Sequence, residues 1–161
     1  MKIVTAIIFA TSMFLFLAVP MPAGAAPRAG NDARNSSGQW LALIDAGESR
    51  ASWKTAAEYF KSTVSREEWE RSLGAVRRTL GRTVSRKLTS VKFTRSIPGA
   101  PDGEYVVLQF QTSFAKRTIA VETVTPKLEK DHKWRVCGYY LHLPLGDSSS
   151  PPGPGAAISA R

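Results

Sequence analysis

Apolar residues follow three successive rhythms along this chain: an unbroken run, then helical stripes, then alternation. Ile3 to Val19 is almost continuously apolar behind Met1-Lys2, and Pro20 and Pro22 end the run. Arg28 to Ser37 is small, polar and aperiodic, which predicts a flexible lead-in over 26–37. From Gln39 to Leu80 the spacing is helical. Trp40, Leu43, Ile44 and Gly47 line one face and Trp53, Ala57 and Phe60 another, with a change of phase near Gly47 that predicts two helices or one broken helix. Ser65 and Glu68 form an S-x-x-E capping box, in which each side chain satisfies an exposed backbone N–H, and Val64 with Trp69 makes the matching hydrophobic staple. Trp69, Leu73, Val76 and Leu80 then recur on one helical face up to Gly81, a residue suited to the C-terminal stop.

Beyond Gly81 the period shortens to two. Val84 to Thr94, Tyr105 to Phe114, Arg117 to Val124 and Trp134 to Leu143 predict four strands, the first bulged near Thr89-Ser90 where its phase changes. Pro98 to Gly103 is a turn-rich loop. A two-residue turn at Ala115-Lys116 opposes Phe110 to Val121 and Gln109 to Glu122, and a turn centred on Glu129-Lys130 opposes Val121 to Gly138 and Glu122 to Cys137. Alternation then gathers Val106, Leu108, Phe110, Ile119, Val121, Trp134, Val136 and Tyr140 on the helix-packed face. Gln109, Gln111, Glu122, Arg135, Cys137 and Tyr139 fall on the other, a polar and lightly covered face. The expected fold class is α+β: three N-terminal helices packed on a four-stranded antiparallel meander sheet within 38–143, with all four tryptophans buried between the layers. The tail 144–161, rich in Pro, Gly and Ser, is too poor in apolar surface to order itself and is expected to be disordered.

Ala23-Gly24-Ala25 has the small-x-small form of a signal-peptidase site, so residues 1–25 read as a signal peptide whose removal leaves Ala26 first. The alternative is an uncleaved anchor, because the run lies at the short end of the transmembrane range. Cleavage implies a periplasmic or secreted protein with no remaining membrane span. About 135 residues then remain, enough for one domain that folds without metal or disulfide. Cys137 is the single cysteine, which excludes an intramolecular disulfide and a CxxC site, and its apolar surroundings mark it as a buried structural thiol. The formal net charge of +9 is expected to draw an exported protein to anions.

Two constellations bear on chemistry. Glu122 lies mid-strand, with Gln109, Arg135 and Tyr139 nearby in the expected register. A carboxylate held on an apolar sheet is a candidate general base, and the competing reading is a structural carboxylate bonded to Gln109 and Arg135. The second is a basic tract whose excess runs from Arg77 to Arg95, with Arg77, Arg78, Arg82, Arg86 and Lys87 as candidate anion contacts. Its expected partner is an anionic envelope surface or an acidic glycan, against the alternative of a merely solvated charged face. Aromatics for base stacking are nearly absent from it, so no nucleic-acid partner is expected. Asp45 reads as a cap for the break at Gly47. His132 and His142 have no acidic partners at metal spacing, and no G-x-S-x-G, P-loop or HExxH motif is present, so neither metal nor cofactor is expected. Nothing in the sequence speaks to oligomeric state.

Trp40 to Gly47, Ser52-Trp53, Trp69 with Arg77 and Gly81, Pro98 to Tyr105, Phe110 to Phe114, Ala120 to Val124 and Trp134 to Tyr140 together resemble the bacterial family "domain of unknown function 4019". The resemblance spans about Gln39 to His142 and implies an exported α+β domain of unassigned function. The chain departs from the family pattern at Asp131-His132-Lys133, where His132 stands in place of a turn glycine. The order of helices then meander is also similar to the cystatin-like or nuclear-transport-factor-like cone, a likeness of fold that transfers no function. Two functions follow as expectations: a non-catalytic accessory or binding module of the cell envelope, or a small cone-fold pocket enzyme using Glu122 as general base.

Overall fold

A computed structural model describes residues 25–143 apart from Arg117. The opening apolar run, most of the expected cleavage motif, the expected start of the third strand at Arg117 and the tail 144–161 lie outside the described residues. Four helices precede four strands: α1 (Ala25–Asp45), α2 (Ser49–Thr55), α3 (Glu58–Thr63), α4 (Arg66–Leu80), β1 (Thr83–Thr94), β2 (Tyr105–Phe114), β3 (Ile119–Leu128) and β4 (Trp134–His142). The strands form one open antiparallel sheet in the order β1-β2-β3-β4. The chain is therefore α+β, with the helices against one face of a meander.

The lead-in expected over 26–37 is instead part of α1. Its inward positions are Gly30, Ala33, Ser37, Trp40, Leu41 and Ile44, all buried at helical spacing. The first three are too small to register as an apolar stripe, and their smallness is what the packing requires. A Cβ on Gly30 would meet the Phe93 ring at 3.0 Å, so even a methyl group there needs that ring to give way.

Gly47 ends α1 as the phase change predicted. At φ 81° it adopts the left-handed backbone that glycine allows. The N–H of Glu48 reaches the Leu43 carbonyl at 2.8 Å and that of Gly47 the Ile44 carbonyl at 3.0 Å, a Schellman closure. The expected three helices are four because the chain breaks again at Ala56-Ala57, where both residues turn extended. That break frees the Ala57 N–H to donate to the Val136 carbonyl at 2.9 Å. Backbone bonding to β4 thus wins over one more helical turn.

The Ser65–Glu68 capping box forms at the start of α4. Behind it, Trp40, Phe60, Trp69 and Tyr139 make a ring cluster with centroids 5.1–6.2 Å apart. Buried Ser52 serves two of these rings: its carbonyl accepts from Trp40 Nε1 at 2.7 Å and its hydroxyl from Trp69 Nε1 at 2.9 Å. Trp40 and Trp69 are fully buried, whereas Trp53 and Trp134 are only partly so.

β1 carries its bulge where expected, between Leu88 and Ser90, and a second one between Thr83 and Ser85. The β2–β3 and β3–β4 registers differ from expectation. Phe114 N–H bonds the Thr118 carbonyl, so the turn holds three residues rather than two. Phe110 consequently faces Glu122 rather than Val121. A slip of one residue moves a whole strand's side chains to the opposite face: Ala120, Glu122, Val124 and Pro126 turn inward, and Ile119 and Val121 turn outward. Between β3 and β4 the loop is longer and a bulge falls at Thr125/Pro126, where proline has no N–H for the ladder, so Val121 faces His142 and Glu122 faces Leu141. Cys137 sits at this bulge, buried with Ala57 and Tyr105.

His132 occupies the turn before β4 at φ 58°, the left-handed conformation that explains why a glycine suits this place. His132→Gly should therefore raise stability by up to about 1 kcal/mol, read as a higher midpoint in urea. Ser65→Ala should cost about 1 kcal/mol through the lost cap. Trp69→Ala should cost about 3–5 kcal/mol through the cavity left among three rings. A thermal midpoint unchanged by Trp69→Ala would refute the inward face of α4.

Candidate functional site

The register change carries Glu122 from the expected open face to the middle of the helix-packed one, where it is 0% exposed. A carboxylate so placed is stable as an anion only if every lone pair finds a donor. The neighbouring strands supply them. Arg86 on β1 gives Nε to Oε2 at 2.5 Å and Nη2 to Oε1 at 3.2 Å. Thr112 on β2 donates to Oε2 at 2.8 Å, and Tyr139 on β4 donates to Oε1 at 2.7 Å. Four hydrogen bonds thus fill the four acceptor positions of the two oxygens.

Arg86 reaches past Glu122 to a second carboxylate. Its Nη1 donates to Asp45 Oδ2 at 2.8 Å and its Nη2 to Oδ1 at 3.2 Å. Asp45 stands in the last turn of α1, where it also accepts from Thr83 at 2.8 Å and from Arg77 of α4 at 3.3 Å. Arg77 further donates to the Ile44 carbonyl, one of the unpaired carbonyls at the end of α1. Two arginines and two carboxylates therefore form one network that ties two helices to all four strands. Asp45 is a strut between layers rather than a local cap of the Gly47 break.

The protonation states follow from the surroundings. Burial penalises the Asp45 anion, but hydrogen bonds from Arg86 and Thr83 outweigh it and leave the carboxyl below its usual range. Burial likewise works against the Arg86 cation, yet bonds to Asp45 and Glu122 raise its pKa above the ordinary arginine value. Tyr139 is pushed well above a normal phenol, by burial first and by the Glu122 charge next, so it remains a proton donor to that carboxylate. Burial pushes the Cys137 thiol up to about 12, which leaves it inert at neutral pH.

The other candidate residues separate. Gln109 and Gln111 are exposed on the open face, away from Glu122. Arg135 pairs with Asp131 at 2.7 Å across the last turn and holds that carboxyl down at about 2. The structural environment expected for Glu122, with Gln109 and Arg135 as partners, is thus corrected to Arg86, Thr112 and Tyr139. Within the basic tract, Arg77 and Arg86 are committed to the internal network, while Arg78, Arg82 and Lys87 are exposed. Thr112 and Thr83 escape a sequence reading because a hydroxyl on a strand has no spacing signal of its own. Among the described residues no group of His, Cys, Asp and Glu is placed to hold a metal ion, and no helix is long and apolar enough to cross a membrane.

A family model described as a protein of unknown function, DUF4019, matches residues 36–139. The chain belongs to that family. No curated protein and no solved structure matches it.

The network makes stability depend on both charges. Glu122→Gln should cost about 3 kcal/mol or more, because it leaves Arg86 buried against a neutral amide. Replacing the pair together, Glu122→Leu with Arg86→Met, should recover part of that loss, and urea midpoints of the three chains check it. Asp45 has a lower pKa folded than unfolded, so its contribution is complete above the unfolded carboxylate value near 4 and is lost as pH falls through the folded value. Asp45→Asn should accordingly flatten the acid limb of a stability-against-pH curve below about pH 4.

Proposed function

We propose that this member of a family of unknown function is an exported, non-catalytic module that works by contact with an anionic partner of the cell envelope. The observation that carries the non-catalytic reading is the occupancy of Glu122. A general base needs a free lone pair within reach of a substrate proton. Glu122 has both oxygens filled by Arg86, Thr112 and Tyr139 and no exposure at all. Its geometry is that of a structural ion pair, so the pocket-enzyme reading has no support from it.

Export rests on the residues themselves: a positive start, an apolar run and a small-x-small site ending at Ala25. Anion contact rests on a formal net charge of +9 and on the three candidate contacts that the internal network leaves exposed, Arg78, Arg82 and Lys87. These stand near the start of β1, where α4 hands over to the sheet.

Mass spectrometry of the chain recovered from expressing cells should give a species beginning at Ala26, and intact Met1 in a membrane fraction would refute cleavage. That chain should bind phosphatidylglycerol vesicles or polygalacturonate at low ionic strength and lose affinity steeply towards about 0.15 M salt, where screening shortens to about 8 Å. Reversing Arg78, Arg82 and Lys87 together to Glu should weaken binding by about tenfold or more while the thermal midpoint stays put. Absence of binding to either anion at low salt would overturn the reading.

A further inference from the structure

The helices cover one face of the sheet, and the other face has a composition of its own. On β1 and β2 its side chains include Ser85, Lys87, Gln109, Gln111 and Ser113; β3 and β4 add Ile119, Val121, Thr123, Tyr140 and His142. The large hydrophobic residues that are exposed among the described ones, Val84 at 57%, Ile119 at 51%, Tyr140 at 39% and Val121 at 38%, gather here and at the adjoining β1 bulge. Register places them together. Ser85, Ser113 and Ile119 are successive partners across β1, β2 and β3, with Val84 next to Ser85; Val121 faces His142, two residues from Tyr140. With strands about 4.8 Å apart and about 3.3 Å per residue, the patch spans roughly 10–15 Å.

Charge is divided just as sharply. Among the described residues every carboxylate lies elsewhere. Glu122 points inward, Asp32, Asp45, Glu58, Glu67, Glu68 and Glu70 are on helices and Glu48 just before one, and Asp102, Glu104, Glu129 and Asp131 sit in the loops at the far end of the sheet. The apolar patch is instead bordered by exposed cations. Lys87 is on the face, and exposed Arg82 is brought to the β2–β3 turn by the bond from Ala115 N–H to its carbonyl at 2.9 Å. Gly81 makes that approach possible: at φ 79° its missing Cβ would stand 3.2 Å from Ala115 Cβ.

We propose that this open sheet face, centred on Ile119, Val121 and Tyr140 and bordered by Arg82 and Lys87, docks flat on an anionic lipid bilayer. The inference rests on the anionic-partner reading above and names the partner within it. Branched apolar side chains enter the boundary between head groups and acyl chains, a tyrosine keeps its ring there with its hydroxyl wet, and flanking cations meet the lipid phosphates. An acidic glycan would use the cations and leave the apolar centre without a purpose. Absence of carboxylates removes the repulsion that a negatively charged surface would otherwise raise.

The test uses the exported chain, purified without detergent, in sedimentation with phosphatidylglycerol–phosphatidylcholine vesicles, with phosphatidylcholine vesicles and with polygalacturonate. Ile119→Gln with Val121→Gln keeps the charge and removes the apolar centre. It should lower affinity for the anionic vesicles about tenfold, since half of each side chain's burial is lost, and leave polygalacturonate binding unchanged. Lys87→Gln should weaken vesicle binding about fivefold, whereas Lys54→Gln and Arg71→Gln, equal changes of charge on exposed helix residues, should change it less than about twofold. Vesicle affinity insensitive to the Ile119 and Val121 changes, or equally sensitive to the helix changes, would overturn the proposal. Polygalacturonate bound with vesicles ignored would overturn the bilayer and keep the anionic reading, and neither bound would end both. A dimer in analytical ultracentrifugation that the same two substitutions dissociate would assign the face to a second copy and also overturn it.

Discussion

The arrangement of this domain depends on one buried ion pair. Glu122 sits with no exposure on the face of the sheet that meets the helices, and such an anion persists there only because Arg86 is held beside it. An arginine suits the task, since its planar fork addresses Glu122 with one edge and Asp45 with the other. The geometry is demanding. Arg86 must leave β1 towards the helices, Thr112 and Tyr139 must flank Glu122 from β2 and β4, and α1 must end where Asp45 completes the set. An error of one residue in any strand would leave a charge in the core without its partner, at a cost of several kcal/mol. The network therefore penalises wrong registers more than it adds to stability in the right one.

Around that centre the helical layer is shaped by accommodation to the sheet. α1 comes close because Gly30, Ala33 and Ser37 present almost no side chain. The chain gives up helix at Ala56-Ala57 to bond the exposed backbone of β4, which also shields part of an edge strand that would otherwise invite pairing. The aromatic cluster of Trp40, Phe60, Trp69 and Tyr139 then joins helices to sheet, and Tyr139 belongs to both systems: its ring packs on tryptophans and its hydroxyl serves Glu122. Apolar packing and the polar network are thus coupled through a single side chain.

The same network sorts the basic residues. A tract that looks uniform in sequence is split by the pleat and by the helix period, with Arg77 and Arg86 turned inward to carboxylates and Arg78, Arg82 and Lys87 left in solvent. The inward pair neutralises Asp45 and Glu122, so the excess positive charge is carried by outward residues. Net charge is a property of the composition, but where a field points is decided by which charges have been cancelled inside.

Much of the fold was legible in the sequence because it rests on local chemistry. Ser65 and Glu68 cap a helix wherever they stand three apart before an apolar stripe, Gly47 and Gly81 end helices because they tolerate positive φ, and an alternating run such as Tyr105 to Phe114 reads as a strand by its period alone. The likeness to the family was also carried by such local segments, and the family model covers all of them but Tyr140. What the sequence could not determine were quantities that no short window contains. Turn length at Ala115 decided whether Glu122 faced helices or solvent, and that length depends on Ala115 and Lys116 bonding back to Arg82 and Leu80, residues far away along the chain. The bulge at Pro126 and the close docking of Gly30 on Phe93 are likewise agreements between distant residues. The chemistry of Glu122 is therefore a tertiary property: its sequence neighbours mark an acidic residue on a strand, and only the assembled sheet brings it the arginine, threonine and tyrosine that make it a strut.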